Sequence, residues 1–211
     1  MQPEAEDVRA RPARDEKRDA IIRTALAAFL AEGYAETSMS SLAAKIGGSK
    51  ATLYNYFKSK EELFVAVVAR KCEQIRHLLS EAEIQSGGDL RATLTNFGEH
   101  FVELLLNDDS IGTFRLATAE AARFPEIGRA IYNSGVRQNQ QRMVEFLEHA
   151  KEAGRLRSDV DVQCAAEQFS DLCLSGLHRQ RLWHVTPCPS RDEIRANVAR
   201  AVDTFMRAFA A

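Results

Sequence analysis

The sequence lacks the features typical of secreted, disulfide-stabilised and membrane-spanning proteins. Its four cysteines stand far apart and form no C-x-x-C pair. No stretch approaches the roughly 18–20 consecutive apolar residues that a transmembrane helix needs, and the N-terminal segment MQPEAEDVRARPARDEKRDA has no apolar run typical of a secretory signal. These absences predict a cytoplasmic protein with free thiols and no membrane partner.

The common enzyme motifs are also missing. There is no glycine-rich phosphate loop, no G-x-S-x-G elbow and no H-E-x-x-H pair. Among the five histidines, the nearest pair, His178 and His184, falls on different faces of a predicted helix and does not match metal-ligand spacing. The sequence leaves open a catalytic site assembled from distant residues but does not favour one. We therefore expect no enzymatic activity, no catalytic residue, no metal and no cofactor.

Charge is distributed unevenly along the chain. The net charge is −2, yet residues 9–60 contain ten Lys or Arg and five Asp or Glu, so this segment carries +5 and the remainder −7. A basic segment attached to an acidic remainder is expected when only one end of a protein meets phosphate. This pattern favours nucleic acid as a partner of the N-terminal part.

Apolar residues recur at helical spacing throughout, and no segment alternates as a strand would. We expect an all-α protein of about nine helices, including long ones over residues 128–153, 162–183 and 191–211. The predicted domains are a flexible N-terminal arm (1–14), a three-helix DNA-binding domain (15–62) and a helical ligand-binding and dimerisation domain (63–211).

Residues 37–57 are typical of a helix-turn-helix. Leu42, Ala43 and Ile46 can pack one short helix, and Leu53 and Phe57, at i and i+4, can anchor the next. The Gly47-Gly48 pair supplies the turn between them. In this arrangement the second helix lies in the major groove of DNA. An ordinary helical protein can also contain such a helix pair, so the pattern alone leaves both interpretations open.

The residue types on the second helix suit a DNA surface. Ala51 and Thr52 are small enough for close approach to base edges, and their methyl groups can contact thymine. Tyr54 and Tyr56 can donate hydroxyl hydrogens to phosphate, and Lys60 lies in the first turn of the next helix, where an anion can bind. The predicted DNA-binding residues are Thr37, Ser38, Ser49, Lys50, Ala51, Thr52, Tyr54, Asn55, Tyr56 and Lys60.

The run LYNYFKSKEELF, from Leu53 to Phe64, resembles the N-terminal domain of TetR/AcrR-family regulators. The similarity covers residues 15–68 and includes Gly33-Tyr34, Thr37-Ser38, Ala43-Ala44 and Ser49-Lys50, whereas Gly48 departs from the small apolar residue usual there. The resemblance implies an all-helical homodimer with a divergent effector domain, usually a repressor until a small molecule binds. Residues 114–128, with the run RFPEIG, resemble the C-terminal domain of AefR-like regulators.

Aromatic and thiol residues on three predicted helices suggest an effector pocket. The candidate lining residues are Phe97, His100, Phe101, Arg115, Phe169, Cys173 and Leu177. Such a mainly apolar set with few polar groups is typical of small-molecule sites, so the expected effector is apolar or amphipathic. For any single one of these residues, the sequence favours a place in an ordinary hydrophobic core over a ligand contact.

The last two predicted helices suggest a dimer interface. An apolar stripe runs along the final helix, and the helix before it has small residues that permit close approach; the predicted interface residues are Ser175, Gly176, Ile194, Val198, Val202, Phe205 and Phe209. Two helices from each subunit would form a four-helix interface, as the family resemblance implies. The stripe could instead pack on its own chain.

Together these features predict a one-component transcriptional regulator. We expect a homodimeric repressor that binds a partly palindromic operator on double-stranded DNA and is released by a small molecule. The alternative is a helical ligand-binding or scaffold protein without DNA binding.

Overall fold

The computed structural model describes residues 4–211, except for the side chains of residues 4–13, 74 and 76. These residues contain no β-strand, which agrees with the all-α prediction. No helix in the described range is long and apolar enough to cross a membrane. The helices are α1 (Glu4–Glu32), α2 (Met39–Ile46), α3 (Lys50–Tyr56), α4 (Lys60–Ser86), α5 (Leu90–Leu106), α6 (Asp108–Glu120), α7 (Pro125–Ile131), α8 (Arg137–Glu152), α9 (Val162–Leu174), α10 (Leu177–Leu182) and α11 (Arg191–Phe209).

Two helices predicted to be long are interrupted. The predicted helix 162–183 divides into α9 and α10 at Ser175 and Gly176, where the φ of +79° at Gly176 requires a residue without a Cβ. The predicted helix 128–153 begins earlier, at Pro125. Proline is tolerated at the first helical position because that position needs no backbone N–H. It then passes through a π-helical turn, Tyr132–Val136, into α8.

Helix α1 also begins earlier than predicted, at Glu4 rather than near Asp15. The intervening residues are mostly Ala, Arg, Glu and Asp, several of which favour helix, so the helix can extend despite Pro12. Residues 1–3 of the predicted arm lie outside the described part of the chain. Flexibility of the arm therefore stays a prediction.

The chain forms two compact units whose boundaries differ from the predicted domains. We call Met1–Arg70 with Leu116–Ile131 the head, and Lys71–Arg115 with Tyr132–Ala211 the body. Residues 116–131 join the head because Phe124 packs against Tyr34, with 5.2 Å between ring centroids. A contact between residues so distant in sequence leaves no local signal, and the predicted domain boundaries stay a prediction.

An aromatic cluster forms the centre of the head. Tyr34 is fully buried, and its ring lies 5.5 Å from that of Phe29 and 5.4 Å from that of Phe64. Aromatic pairs at such distances stabilise a core beyond the area they bury. Leu42 and Leu53 are buried too, so α2 and α3 present fixed faces to the core and to solvent.

The body is built around α5, α9 and α11. Phe169 on α9 contacts Phe97 on α5 and Phe205 on α11, with ring centroids 6.3 and 5.3 Å apart. Asn197 is buried on α11, and its side-chain amide donates to the Cys173 carbonyl at 2.6 Å, which satisfies a polar group inside the core. This packing leaves the inward faces of α9 and α11 fully occupied within one chain.

Candidate nucleic-acid interface and effector site

The turn between α2 and α3 has the geometry of a helix-turn-helix. Ser38 caps α2, and Gly47 ends it in the left-handed region, with φ +71°. Gly48 does not adopt the left-handed conformation. A Cβ added at Gly48 would meet only Thr52 atoms, at 3.9 Å or more. The departure at Gly48 from the usual small apolar residue therefore leaves the turn intact.

Local hydrogen bonds fix the start of α3. Ser49 accepts from the Thr52 amide at 3.1 Å, and the two hydroxyl oxygens lie 2.8 Å apart. Leu53 and Phe57 are buried and anchor the inner face, as the sequence predicted. The opposite face exposes Lys50, Ala51, Tyr54 and Asn55, while Thr52 and Tyr56 are half-buried. The outward orientation of this set is thus present, and its contact with DNA stays a prediction.

Thr37 requires a correction. Its side chain is only 1% exposed, and its hydroxyl donates to the Gly33 carbonyl at 2.7 Å. This bond satisfies a carbonyl at the end of α1 and removes the hydroxyl from the surface. Ser38, the next residue, is exposed and remains a candidate phosphate contact.

Lys60 is held inside the head by more contacts than the sequence indicated. Its ammonium donates to the carbonyls of Tyr34 and Ala35 at 2.7 and 3.4 Å and lies 4.2 Å from the centre of the Tyr34 ring. Partial burial lowers the pKa of Lys60, although nearby carboxylates, Glu61 first, oppose that shift. An ammonium has three N–H donors, so one remains for phosphate.

Replacing Lys60 with alanine is therefore expected to have two effects. The head should lose about 1 kcal/mol of stability, since the Tyr34 carbonyl loses its charged donor. Operator affinity should also fall for all sequences, with the salt slope reduced by about one unit per half-site. Thermal unfolding and salt-dependent gel shifts measure both. Lys58→Ala, at an exposed lysine, is the control for stability. If Lys60→Ala lowers the unfolding midpoint but leaves the salt slope unchanged, Lys60 has a structural role and does not contact phosphate.

Two arginines beside α3 were not selected from the sequence. The Arg14 guanidinium lies 6.0 Å from the centre of the Tyr56 ring, and that of Arg18 lies 5.2 Å from the Phe57 ring. Both side chains are exposed and form no ion pair within the described part of the chain. Arg14 and Arg18 lie on one face of α1, at i and i+4. In the sequence, only this spacing and their positive charge could have marked them as candidate DNA contacts.

The predicted effector pocket is a packed core. The rings of Phe97 and Phe101 stack at 5.3 Å, and Phe169 and Cys173 are fully buried in the same apolar cluster. Burial raises the pKa of the Cys173 thiol to about 12. These four side chains belong to one buried cluster, and an effector pocket among them stays a prediction.

None of the other three predicted pocket residues is fully buried. His100 is exposed, with its Nδ1 2.8 Å from the Asn96 carbonyl oxygen. Arg115 donates to the carbonyls of Leu182, at 2.8 Å, and Arg181, which caps the last turn of α10. Leu177 is half-buried at the start of α10. Sequence spacing identified the helices but not the direction of these side chains.

The predicted dimer stripe on α11 is likewise an internal face. Ile194, Val198, Val202 and Phe205 are buried within the single chain, and the half-buried Phe209 packs on Phe205 at 4.9 Å between centroids. α5 and α9 pack against these side chains within one chain, and their role in a subunit interface stays a prediction. Ser175 and Gly176 form the break before α10 rather than a close helix crossing.

A small recess lies in the body. It has a volume of about 10 Å³ and is lined by Ile75, Leu79, Phe97, Asn139 and Arg142. Ligand pockets usually measure about 300–1,000 Å³, so this recess cannot hold an effector without opening. Elsewhere in the described residues, no group of three His, Cys, Asp or Glu side chains is placed to hold a metal ion.

Comparison with known families agrees with this arrangement. Residues 21–67 match the profile of the bacterial regulatory proteins of the TetR family, and residues 92–211 match the C-terminal domain of AefR-like transcriptional repressors. The chain belongs to the TetR family. The match favours a DNA-binding transcriptional regulator over the alternative of a scaffold without DNA binding.

Individual relatives show the same fold over nearly the whole chain. A TetR-family regulator of Mesorhizobium loti has a TM-score of 0.81 and 25% identity, covering 93% of this chain and 98% of that one. The flavonoid-responsive regulator FrrA has a TM-score of 0.77 and 30% identity with the same coverage. The transcriptional activator FasR of Mycolicibacterium smegmatis is 32% identical over 95 residues, which are 45% of this chain and 43% of FasR. The chain thus matches less than half the length of this curated relative.

Proposed function

We propose that this TetR-family protein is a repressor that acts in the cytoplasm as a homodimer and releases its operator when a small molecule binds. The outward face of α3, with Lys50, Ala51 and Tyr54 exposed above a buried Leu53, carries the DNA-binding part of the proposal. Two such helices in a dimer would read half-sites about 34 Å apart on a partly palindromic operator.

The two subunits are proposed to meet through outward faces of α9 and α11. Their inward faces are already buried against α5, so only the opposite faces are free for a partner. On α11 the exposed residues include Ala196 and Ala199, and on α9 they include Glu167 and Asp171. Small residues there would permit close helix approach across a two-fold axis.

The proposed effector is an amphipathic aromatic compound. Support comes from the apolar, phenylalanine-rich body and from the similarity to FrrA, a regulator described as flavonoid-responsive. Effector binding would weaken operator binding by about 1–3 kcal/mol, the usual range of allosteric coupling free energies. The alternative is that the protein activates transcription rather than repressing it, since the similar protein FasR is named an activator.

Operator selection tests the DNA-binding proposal. Genomic fragments retained by the purified protein should share a partly palindromic site, and compounds that release the protein from this site would identify the effector class. Failure to enrich any fragment, with the head folded by circular dichroism, would contradict the proposal. The selected operator then serves for the binding measurements on variants.

Arg14→Ala and Arg18→Ala are each expected to weaken operator binding without changing base preference. Loss of one phosphate contact lowers the slope of log affinity against log salt by about 0.9 per half-site. Arg137→Ala is the matched control, because Arg137 is an exposed arginine on α8 in the body. Equal salt slopes for the three variants and the wild type would exclude α1 from the DNA surface.

A further inference from the structure

The Lys60 ammonium lies near two aromatic rings in the head. It is 4.2 Å from the centre of the Tyr34 ring and 5.9 Å from that of Phe124, and both distances allow a cation–π attraction. Its hydrogen bonds go to the carbonyls of Tyr34 and Ala35, and it forms no ion pair with a residue that the structure describes. The ammonium is thus held by neutral groups, which orient its charge without neutralising it.

Phe124 reaches this place from a distant part of the sequence. It stands between α6 and α7, and its ring packs edge-on against Tyr34, with 5.2 Å between centroids and 68° between ring planes. The Phe124 amide donates to the Glu120 carbonyl at 2.8 Å, and the Phe124 carbonyl accepts from the Ile127 amide at 3.0 Å. Ile127 is fully buried. The backbone on both sides of Phe124 is therefore fixed, and so is the position from which its ring reaches Tyr34.

Tyr34 supplies most of the Lys60 site, and Phe124 constrains Tyr34. The backbone carbonyl and the ring of Tyr34 both contact the ammonium, so a shift of Tyr34 also moves the charge. Phe29 on α1 and Phe64 on α4 pack against the same ring. Phe124 adds a contact from outside the first four helices and also lies near the ammonium itself. The geometry of the Lys60 site therefore depends on a residue outside the helix-turn-helix.

We propose that Phe124 is a positioning residue for the contact between Lys60 and an operator phosphate. Two of the three N–H groups of the ammonium are used by carbonyls, so the direction of the third determines whether it meets phosphate. Phe124 fixes that direction before DNA binds, and this preorganisation increases affinity. The inference rests on the proposed function, because it requires that the protein binds an operator and that Lys60 contacts it.

Gel shifts over a range of salt concentrations test this role, with Phe124→Leu as the main variant. Leucine is apolar but has no ring to attract the ammonium. Operator binding should weaken about two- to fivefold, the size of a cation–π contact at an exposed site. The slope of log affinity against log salt should fall by up to about 0.9 per half-site, since the phosphate contact is weakened or lost. Phe124→Tyr keeps the ring and should retain the wild-type affinity and slope.

Two comparisons separate positioning from a general loss of stability. Ile127→Val makes a small cavity on the same segment, so it should lower the unfolding midpoint without changing the salt slope. The second comparison is a double-variant cycle. In a Lys60→Ala background, Phe124→Leu should cause no further change in the salt slope, because the contact that it positions is already absent.

An unchanged salt slope in a folded Phe124→Leu protein, or additive losses from Phe124→Leu and Lys60→Ala, would overturn the assignment. Circular dichroism establishes folding, and Phe124→Met is a second variant without a ring, to which the same criteria apply. If the wild type retains no genomic fragment, the proposed DNA-binding function fails. If the wild type binds its operator and Lys60→Ala lowers the slope while Phe124→Leu does not, the positioning role alone fails.

Discussion

Phe205→Asp is expected to unfold the body rather than to separate two folded subunits. Phe205 is fully buried on α11, with its ring against Phe169 and Phe209. An unpaired carboxylate at such a position costs about 3–5 kcal/mol, a large share of the 5–15 kcal/mol that stabilises a typical domain. Urea denaturation followed by far-ultraviolet circular dichroism should show lost helicity or a much lower midpoint.

Thr204→Asp is the matched control, since Thr204 is the exposed neighbour on the same helix and should tolerate the charge. Phe205→Leu should have a smaller effect of about 1 kcal/mol, because volume changes little and no charge is buried. Sedimentation distinguishes the two assignments. If Phe205→Asp instead gave a fully helical monomer, that result would support a place for Phe205 in the subunit interface.

Gly98→Ala is expected to destabilise the body although alanine favours helix. A Cβ at Gly98 on α5 would lie 2.7 Å from the Val198 Cγ1 and 3.4 Å from the Cys173 sulfur. Val198 is itself fully buried, so α5 and α11 must move apart to relieve the overlap. Overpacking of this kind typically costs about 1–3 kcal/mol, which exceeds the gain of about 1 kcal/mol in helix propensity.

A double substitution identifies the cause. Val198→Ala removes the methyl groups that an alanine at 98 would meet, so Gly98→Ala with Val198→Ala should be more stable than the sum of the single effects by about 1 kcal/mol. Gly128→Ala on α7 is the control, because a Cβ there meets Ala121 at an ordinary 3.4 Å. Equal unfolding midpoints for wild type and Gly98→Ala would show that the α5–α11 contact is looser than this geometry indicates.

The outward face of α3 could be predicted because local interactions determine it. Serine caps and a glycine turn bound the short helices, and Leu53 with Phe57 fixes which side of α3 faces inward. A helix of two turns has only one face that can carry Lys50 and Tyr54 once the opposite face is buried. Sequence spacing is sufficient for that inference since residues at i and i+4 always share a face.

The elements that cover the apolar faces of the other helices could not be predicted in this way. The stripe containing Val198 and Phe205 has the same spacing whether a second subunit or its own chain covers it. The aromatic residues on α5 and α9 are equally compatible with a cavity and with a core. Periodicity shows that a face is buried, but the element that covers it depends on contacts between residues far apart in sequence.

The sequence by itself determined the family, the all-helical class and the outward residues of α3. Tertiary structure alone decided that Thr37 is buried, that the Lys60 ammonium meets the Tyr34 carbonyl, and that Arg14 lies beside Tyr56. The physical reason is that hydrogen bonds and packing across the fold join residues whose separation along the chain carries no periodic signal.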